Sequence, residues 1–210
     1  MTSIRQAFMI FPRMVRLLWD DLFTLVLCNL AWLVLCLPIV TAPASFAALY
    51  CVAEMAAREK PISARDFFAA FRQYFAKGLL LGLIDLMLAV VIVANLLFYS
   101  QLAASWAQVA RAVWIAVGVF WILVQVYLFP MLVVQLEPSI KWALRNALMM
   151  TLGQPVFTLI VALEAITLLV ISILLVFPVA AIAMSMVALF TCVALNDRLD
   201  YLKVRQKEET

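Results

Sequence analysis

Apolar residues fill long stretches of this chain almost without interruption, and most charged residues fall in the segments between them. The stretches run from about 22 to 40, 44 to 57, 78 to 101, 111 to 134 and 155 to 176, with a last one ending near Asn196. Several reach the ~20 residues that a helix rising 1.5 Å per residue needs to cross a hydrocarbon core of ~30 Å. The pattern predicts an all-α, polytopic transmembrane helical bundle of about six crossings. Pro38 and the Thr41-Ala42-Pro43 step end the first crossing and turn the chain, because proline breaks a helix interior yet suits a helix start. Segment 44–57 covers only about 21 Å and could be re-entrant. We read it as a second crossing because a basic stretch follows it, and Arg58 and Lys60 can snorkel to lengthen its span.

Three stretches carry the three-and-four spacing of an amphipathic helix instead. Residues 1–21 place Ile4, Phe8, Phe11, Val15 and Leu18 on one side and Arg5, Arg13 and Arg16 elsewhere, as expected of an interfacial helix. Residues 63–77 open with Ser63-Ala64-Arg65-Asp66, a capping-box signature. Phe67, Phe68, Phe71, Tyr74 and Phe75 follow at helical steps, with Arg72 and Lys77 at other angles. This predicts an elbow helix lying at the membrane surface. Residues 138–150, with Lys141 and Arg145 at i, i+4, predict a second elbow. The chain is then one membrane domain, 1–210. It divides into hairpins at 22–57, 78–134 and 155–196, two cytoplasmic elbows and a tail at 197–210. Pro130 marks a kink in the fourth crossing and Pro178 a tight external return.

Charge orients this layout. Fourteen of the fifteen Lys and Arg residues fall on the side of the N-terminus, and only Arg111 lies opposite. Lys/Arg-rich loops stay cytoplasmic, so both termini are expected inside a bacterial cell (inner) membrane. Charged residues make up 13% of the sequence against about 25% in a soluble domain. The net charge of +3 therefore reads as topology and contact with lipid headgroups, not nucleic-acid binding. No cleavable signal peptide is expected, because the first apolar run is too long and follows a charged amphipathic segment.

The chain has no histidine. That removes Ser-His-Asp and Cys-His catalysis, histidine ligation of haem and ordinary His zinc sites. Neither G-x-x-x-x-G-K-[ST] nor G-x-G-x-x-G occurs. Cys28, Cys36, Cys51 and Cys192 lie singly inside apolar runs and read as small buried hydrophobes. No cofactor, metal or catalytic residue is expected. A weak repeat sets Glu54, Pro61, a basic elbow and Asp85 beside Glu137, Pro138, a basic elbow and Glu164.

The passages LPIVTAPASFAALY (37–50), FFAAFRQYFAKGLLLGLI (67–84) and ALRNALMMTLGQPVFTLIVALE (143–164) resemble the YesL-like bacterial membrane proteins, a family without an assigned function. The resemblance implies a small polytopic protein associated with oligosaccharide ABC importers, with an ABC permease as its membrane partner. It implies no catalytic residues. The permease role itself is not expected, because Glu54-Met55-Ala56-Ala57 lacks the glycine of an E-A-A…G docking loop.

Asp85 and Glu164 are the candidate intramembrane acids, each expected about 10–14 Å beyond a cytoplasmic helix end. They support either a proton or cation site, or neutral acids paired with a neighbour. Asn29, Asn95 and Gln125 are candidate intramembrane polar residues, and interhelical hydrogen bonds suffice for them. Gly78 and Gly82, spaced G-x-x-x-G, are candidate packing positions. Phe67, Phe68, Phe71, Arg72, Phe75, Lys141 and Arg145 are candidate interfacial or partner-contacting residues. The leading expectation is a non-catalytic accessory or assembly subunit. The alternative is a small ion- or proton-coupled transporter or channel using the two acids.

Overall fold

Alanine takes the place of bulk along residues 42–57, and this segment becomes the helix around which the others pack. The computed structural model describes residues 12–174 and 180–208. Among these the chain is helical, with no strand. The elements are α1 (Pro12–Asp20), α2 (Leu22–Cys36), a short 3₁₀ turn (Ile39–Thr41) and α3 (Ala42–Ala57), followed by α4 (Ala64–Ser100) and α5 (Ser105–Val134). They are completed by α6 (Ile140–Gly153), α7 (Pro155–Leu174) and α8 (Ala180–Glu208). Residues 1–11 of the expected surface helix and the return at Pro178 lie outside the described residues.

Eleven of the sixteen residues of α3 are buried, six of them alanines. Small side chains let backbones approach closely, and α2, α4, α5 and α8 all pack on this helix. Pro43 sits in its first turn, where a missing N–H is no loss. Its far end is closed by two bonds, Lys60 N–H to Met55 O at 3.0 Å and Glu59 N–H to Ala56 O at 2.9 Å. This is a Schellman closure, and it puts Glu59 at φ 56°. A side chain in that left-handed region costs about 1–2 kcal/mol. Glu59→Gly is therefore expected to raise stability by about 1 kcal/mol, read as a higher unfolding midpoint of the solubilised protein.

The first elbow is not a separate helix. The Asp66 carboxylate accepts from Ser63 N–H at 2.8 Å while the Ser63 side chain accepts from Asp66 N–H, as the capping signature requires. From there α4 runs 37 residues without a break at Gly78, a length of about 55 Å. Its buried residues Phe67, Ala70, Tyr74, Gly78 and Leu81 form one stripe. Gly78 lies against Ala44 and Pro43, at the start of α3. The first half of α4 therefore runs along α3, and the second half runs beyond it. Past Leu81 only Ile92 is buried on α4, and between Ala107 and Val124 nothing is buried on α5. The outer halves of α4 and α5 form a two-helix projection closed at its tip by Tyr99 and Trp106, whose rings lie 6.0 Å apart.

The second elbow does form, as α6, which meets the first part of α7 at 105°. Ala143, Ala147 and Thr151 face inward, while Lys141, Trp142 and Arg145 lie on the exposed side. Likewise α1 meets α2 at 87°. The segment expected as the tail begins as helix, because α8 continues through Asn196 to Glu208. The supposed repeat also fails in geometry. In the first unit the elbow and the acid-bearing segment are one unbroken helix, whereas in the second they are two helices meeting at 105°.

Three helical segments among the described residues are long and apolar enough to cross a membrane: Ile39–Ala57, Ala64–Ser100 and Ser105–Val134. The count reaches five if each bent pair, α1 with α2 and α6 with α7, is one span.

Candidate functional site: an apolar pocket with an acid–amide pair

Where the α4–α5 projection leaves the bundle, a pocket of about 640 Å³ opens between α3, α4 and α5. Its walls are apolar, among them Ile39, Pro43, Leu79, Leu83 and Leu86. Gly82 lies on the wall beside the Pro43 ring, so that the helix backbone itself bounds the space. Three aromatic side chains complete the lining. Tyr50 stacks on Phe129 at 5.6 Å between ring centroids, and Phe46 lies 6.0 Å from the same ring.

Two polar side chains face this pocket, both singled out by the sequence. Gln125 Nε2 donates to Asp85 Oδ1 at 2.6 Å, joining α5 to α4. The Trp121 side chain is a further hydrogen-bond neighbour of Asp85. Gln125 Oε1 is buried and meets no hydrogen-bond partner among the described residues. Gly78, from which the depth of Asp85 is reckoned, is not a helix end: α4 begins at Ala64, about 31 Å from Asp85 along the helix.

Glu164 is not brought to this site. It lies on α7, which packs on α8, α5 and α6, whereas α4 packs chiefly on α3 and α5. Glu164 Oε2 is buried without a hydrogen-bond partner among the described residues. Asn29 forms an interhelical contact, its Oδ1 accepting from Ser185 N–H of α8 at 3.0 Å. Asn95 instead donates to Val91 O of its own helix at 2.8 Å and joins no second helix through that bond.

The elbow aromatics divide. Phe67 is fully buried in the core and is no surface anchor, whereas Phe68 and Phe75 are exposed and Arg72 lies beside them on the outer face. Phe71 is half-buried and meets Phe75 edge-on at 5.5 Å. Arg145 lies 5.1 Å over the Trp142 ring of its own helix, and Lys141 is exposed beside it.

A second polar cluster escaped the sequence analysis. Glu54 is buried in α3, where it accepts from Arg58 Nε at 2.5 Å and from Asn196 Nδ2 of α8 at 2.9 Å. The Glu54/Arg58 spacing of four residues was the available signal. Nearby in the chain, Arg198 lies 5.4 Å over the Phe157 ring, and Tyr127 bonds Thr158 across 3.2 Å. These contacts tie α8 to α3 and α7, and α5 to α7. Glu54→Leu strands the Asn196 amide at a helix contact, so a loss of about 1–3 kcal/mol is expected. The half-exposed Arg58 adds little, because water solvates it. A double-mutant cycle with Asn196→Ala, read by unfolding midpoints, should show the two changes to be non-additive.

Compared with known proteins, residues 25–96 match the model of a family described as a protein of unknown function, DUF624. The matched stretch takes in most of α2, all of α3 and α4 through Leu96, and so contains the α3–α4 face and Asp85. No curated protein and no solved structure matches the chain.

Proposed function

We propose that this protein is a non-catalytic accessory or assembly subunit of a membrane complex, associated with an oligosaccharide ABC importer in the bacterial cell membrane. The observation that carries this reading is the α4–α5 projection. Its outer faces are large, apolar and bare of the chain's own cover, with Leu86, Met87, Val90 and Ile122 each about 60% exposed. Such a surface needs a lipid or protein neighbour. The resemblance to YesL-like proteins supports an importer permease as that neighbour. The distribution of Lys and Arg supports six crossings with both termini cytoplasmic. In that layout the first half of α4 crosses beside α3, and α4, at about 55 Å, exceeds a core of ~30 Å and needs a strong tilt.

The transporter reading has less support, because Asp85 and Glu164 sit on helices that share no substantial packed face. Affinity capture of the tagged full-length protein from native membranes, followed by mass spectrometry, tests the proposal. A permease recovered with the protein, and lost when the α4–α5 face is altered, is the expected result. Recovery only as a lone chain under mild solubilisation overturns it.

A further inference from the structure

The pocket beside Asp85 has a chemistry that the accessory role does not use. A carboxylate and a carboxamide rarely stand in an apolar wall without a partner of matching polarity. Here they satisfy each other only in part. Asp85 has two oxygens with about four acceptor positions, of which one takes the Gln125 N–H and the Trp121 side chain reaches another. Gln125 thereby turns its own oxygen away as a second acceptor, and that atom has no partner among the described residues. The polar end of the pocket carries the acid, with a buried amide oxygen close behind it.

The remaining lining narrows the ligand further. Phe46 and Tyr50 each lie within 6.0 Å of the Phe129 ring, and all three line the pocket; aromatic rings attract cations. Aliphatic side chains of α4 supply the rest, and Leu79, Leu83 and Leu86 are exposed at the mouth. An acid, clustered rings and hydrocarbon walls together recognise a positive charge on an apolar body. A volume of about 640 Å³ falls in the range of sites for drug-sized molecules. We infer that this pocket binds a lipophilic organic cation, with the charge at Asp85 and the apolar body against Phe46, Phe129 and the α4 leucines. The ligand enters laterally, from the apolar phase that covers the exposed leucines.

Tetraphenylphosphonium, permanently charged and apolar, is a suitable probe. Its binding would be measured by equilibrium dialysis on the full-length protein in phosphatidylcholine nanodiscs, with empty nanodiscs subtracted. Saturable binding at one site per chain is expected. Asp85→Asn should weaken it at least tenfold, and so should Leu83→Trp, which fills the mouth from an exposed position and leaves the acid intact. The neutral isostere tetraphenylsilane should not compete. Absence of saturable binding to the parent overturns the inference. So does undiminished binding by Leu83→Trp, or by an Asp85→Asn protein that keeps the parent's unfolding midpoint. Equal competition by the silane overturns it as well.

Discussion

Gly78→Ala is expected to destabilise the protein by about 2–3 kcal/mol, the cost of overpacking a close contact. A Cβ at this position would stand 2.7 Å from Ala44 Cα, 2.9 Å from Ala44 N and 3.0 Å from Pro43 O. All three are backbone atoms in the first turn of α3, so no change of rotamer relieves the overlap. The two helices must separate along the face that carries Tyr74 and Leu81, loosening the centre of the bundle. Gly82→Ala meets the Pro43 ring, with Cβ at 2.7 Å and Cγ closer, and should also destabilise. Gly118→Ala makes only an ordinary contact with Ile92 at 3.6 Å, and nothing lies within 4 Å of a Cβ at Gly153. Gly153→Ala should therefore be neutral or gain up to about 1 kcal/mol from helix propensity. Thermal unfolding of the four variants in one detergent orders them, and a loss of 2–3 kcal/mol corresponds to roughly 5–10 °C in a chain of this size. A Gly78→Ala protein as stable as the parent would refute the α3–α4 contact.

That contact also explains what the sequence could and could not convey. The G-x-x-x-G spacing identified a close approach, because only a missing side chain admits a backbone at such range. It did not identify the neighbour. Depth reckoning put Gly78 at the cytoplasmic start of a crossing, near the end of α3, whereas it lies at the start of α3. The error came from treating the amphipathic stretch 63–77 as a helix of its own. Its inward stripe, Phe67, Ala70, Tyr74, continues without a change of phase into Gly78 and Leu81. The second elbow was legible because Gly153-Gln154-Pro155 interrupts the helix there, and no such break occurs at Lys77-Gly78. Asp85 and Gln125 were each visible as polar residues in apolar runs, but their pairing depends on hairpin register. Counted from the turn at residues 101–104, they differ in distance by about one and a half helical turns, an offset that only the packed hairpin resolves. Asn95 shows the opposite limit. A helix offers an amide its own i−4 carbonyl, and no spacing rule tells that choice from a bond to a neighbour.

The same hairpin yields the second large effect. Leu86 and Val90 lie one turn apart on the bare face of α4, 61% and 58% exposed. If hydrocarbon covers this face, each lysine introduced near the middle of the span costs about 2.5–3.5 kcal/mol on insertion scales. The double variant Leu86→Lys/Val90→Lys is then expected to leave the membrane fraction strongly depleted, with the remaining chain degraded or aggregated. A lysine at Gln101, in the turn at the tip of the projection, should change membrane recovery little, because the side chain reaches water and headgroups. The comparison is made on full-length chains by quantifying membrane-extracted protein at equal expression. Should the double variant insert and unfold like the parent, the outer half of α4 stands outside the bilayer, and its apolar face must be covered by protein. A loss of insertion places residues 86–90 within the lipid core. The pocket at Asp85 then opens toward hydrocarbon.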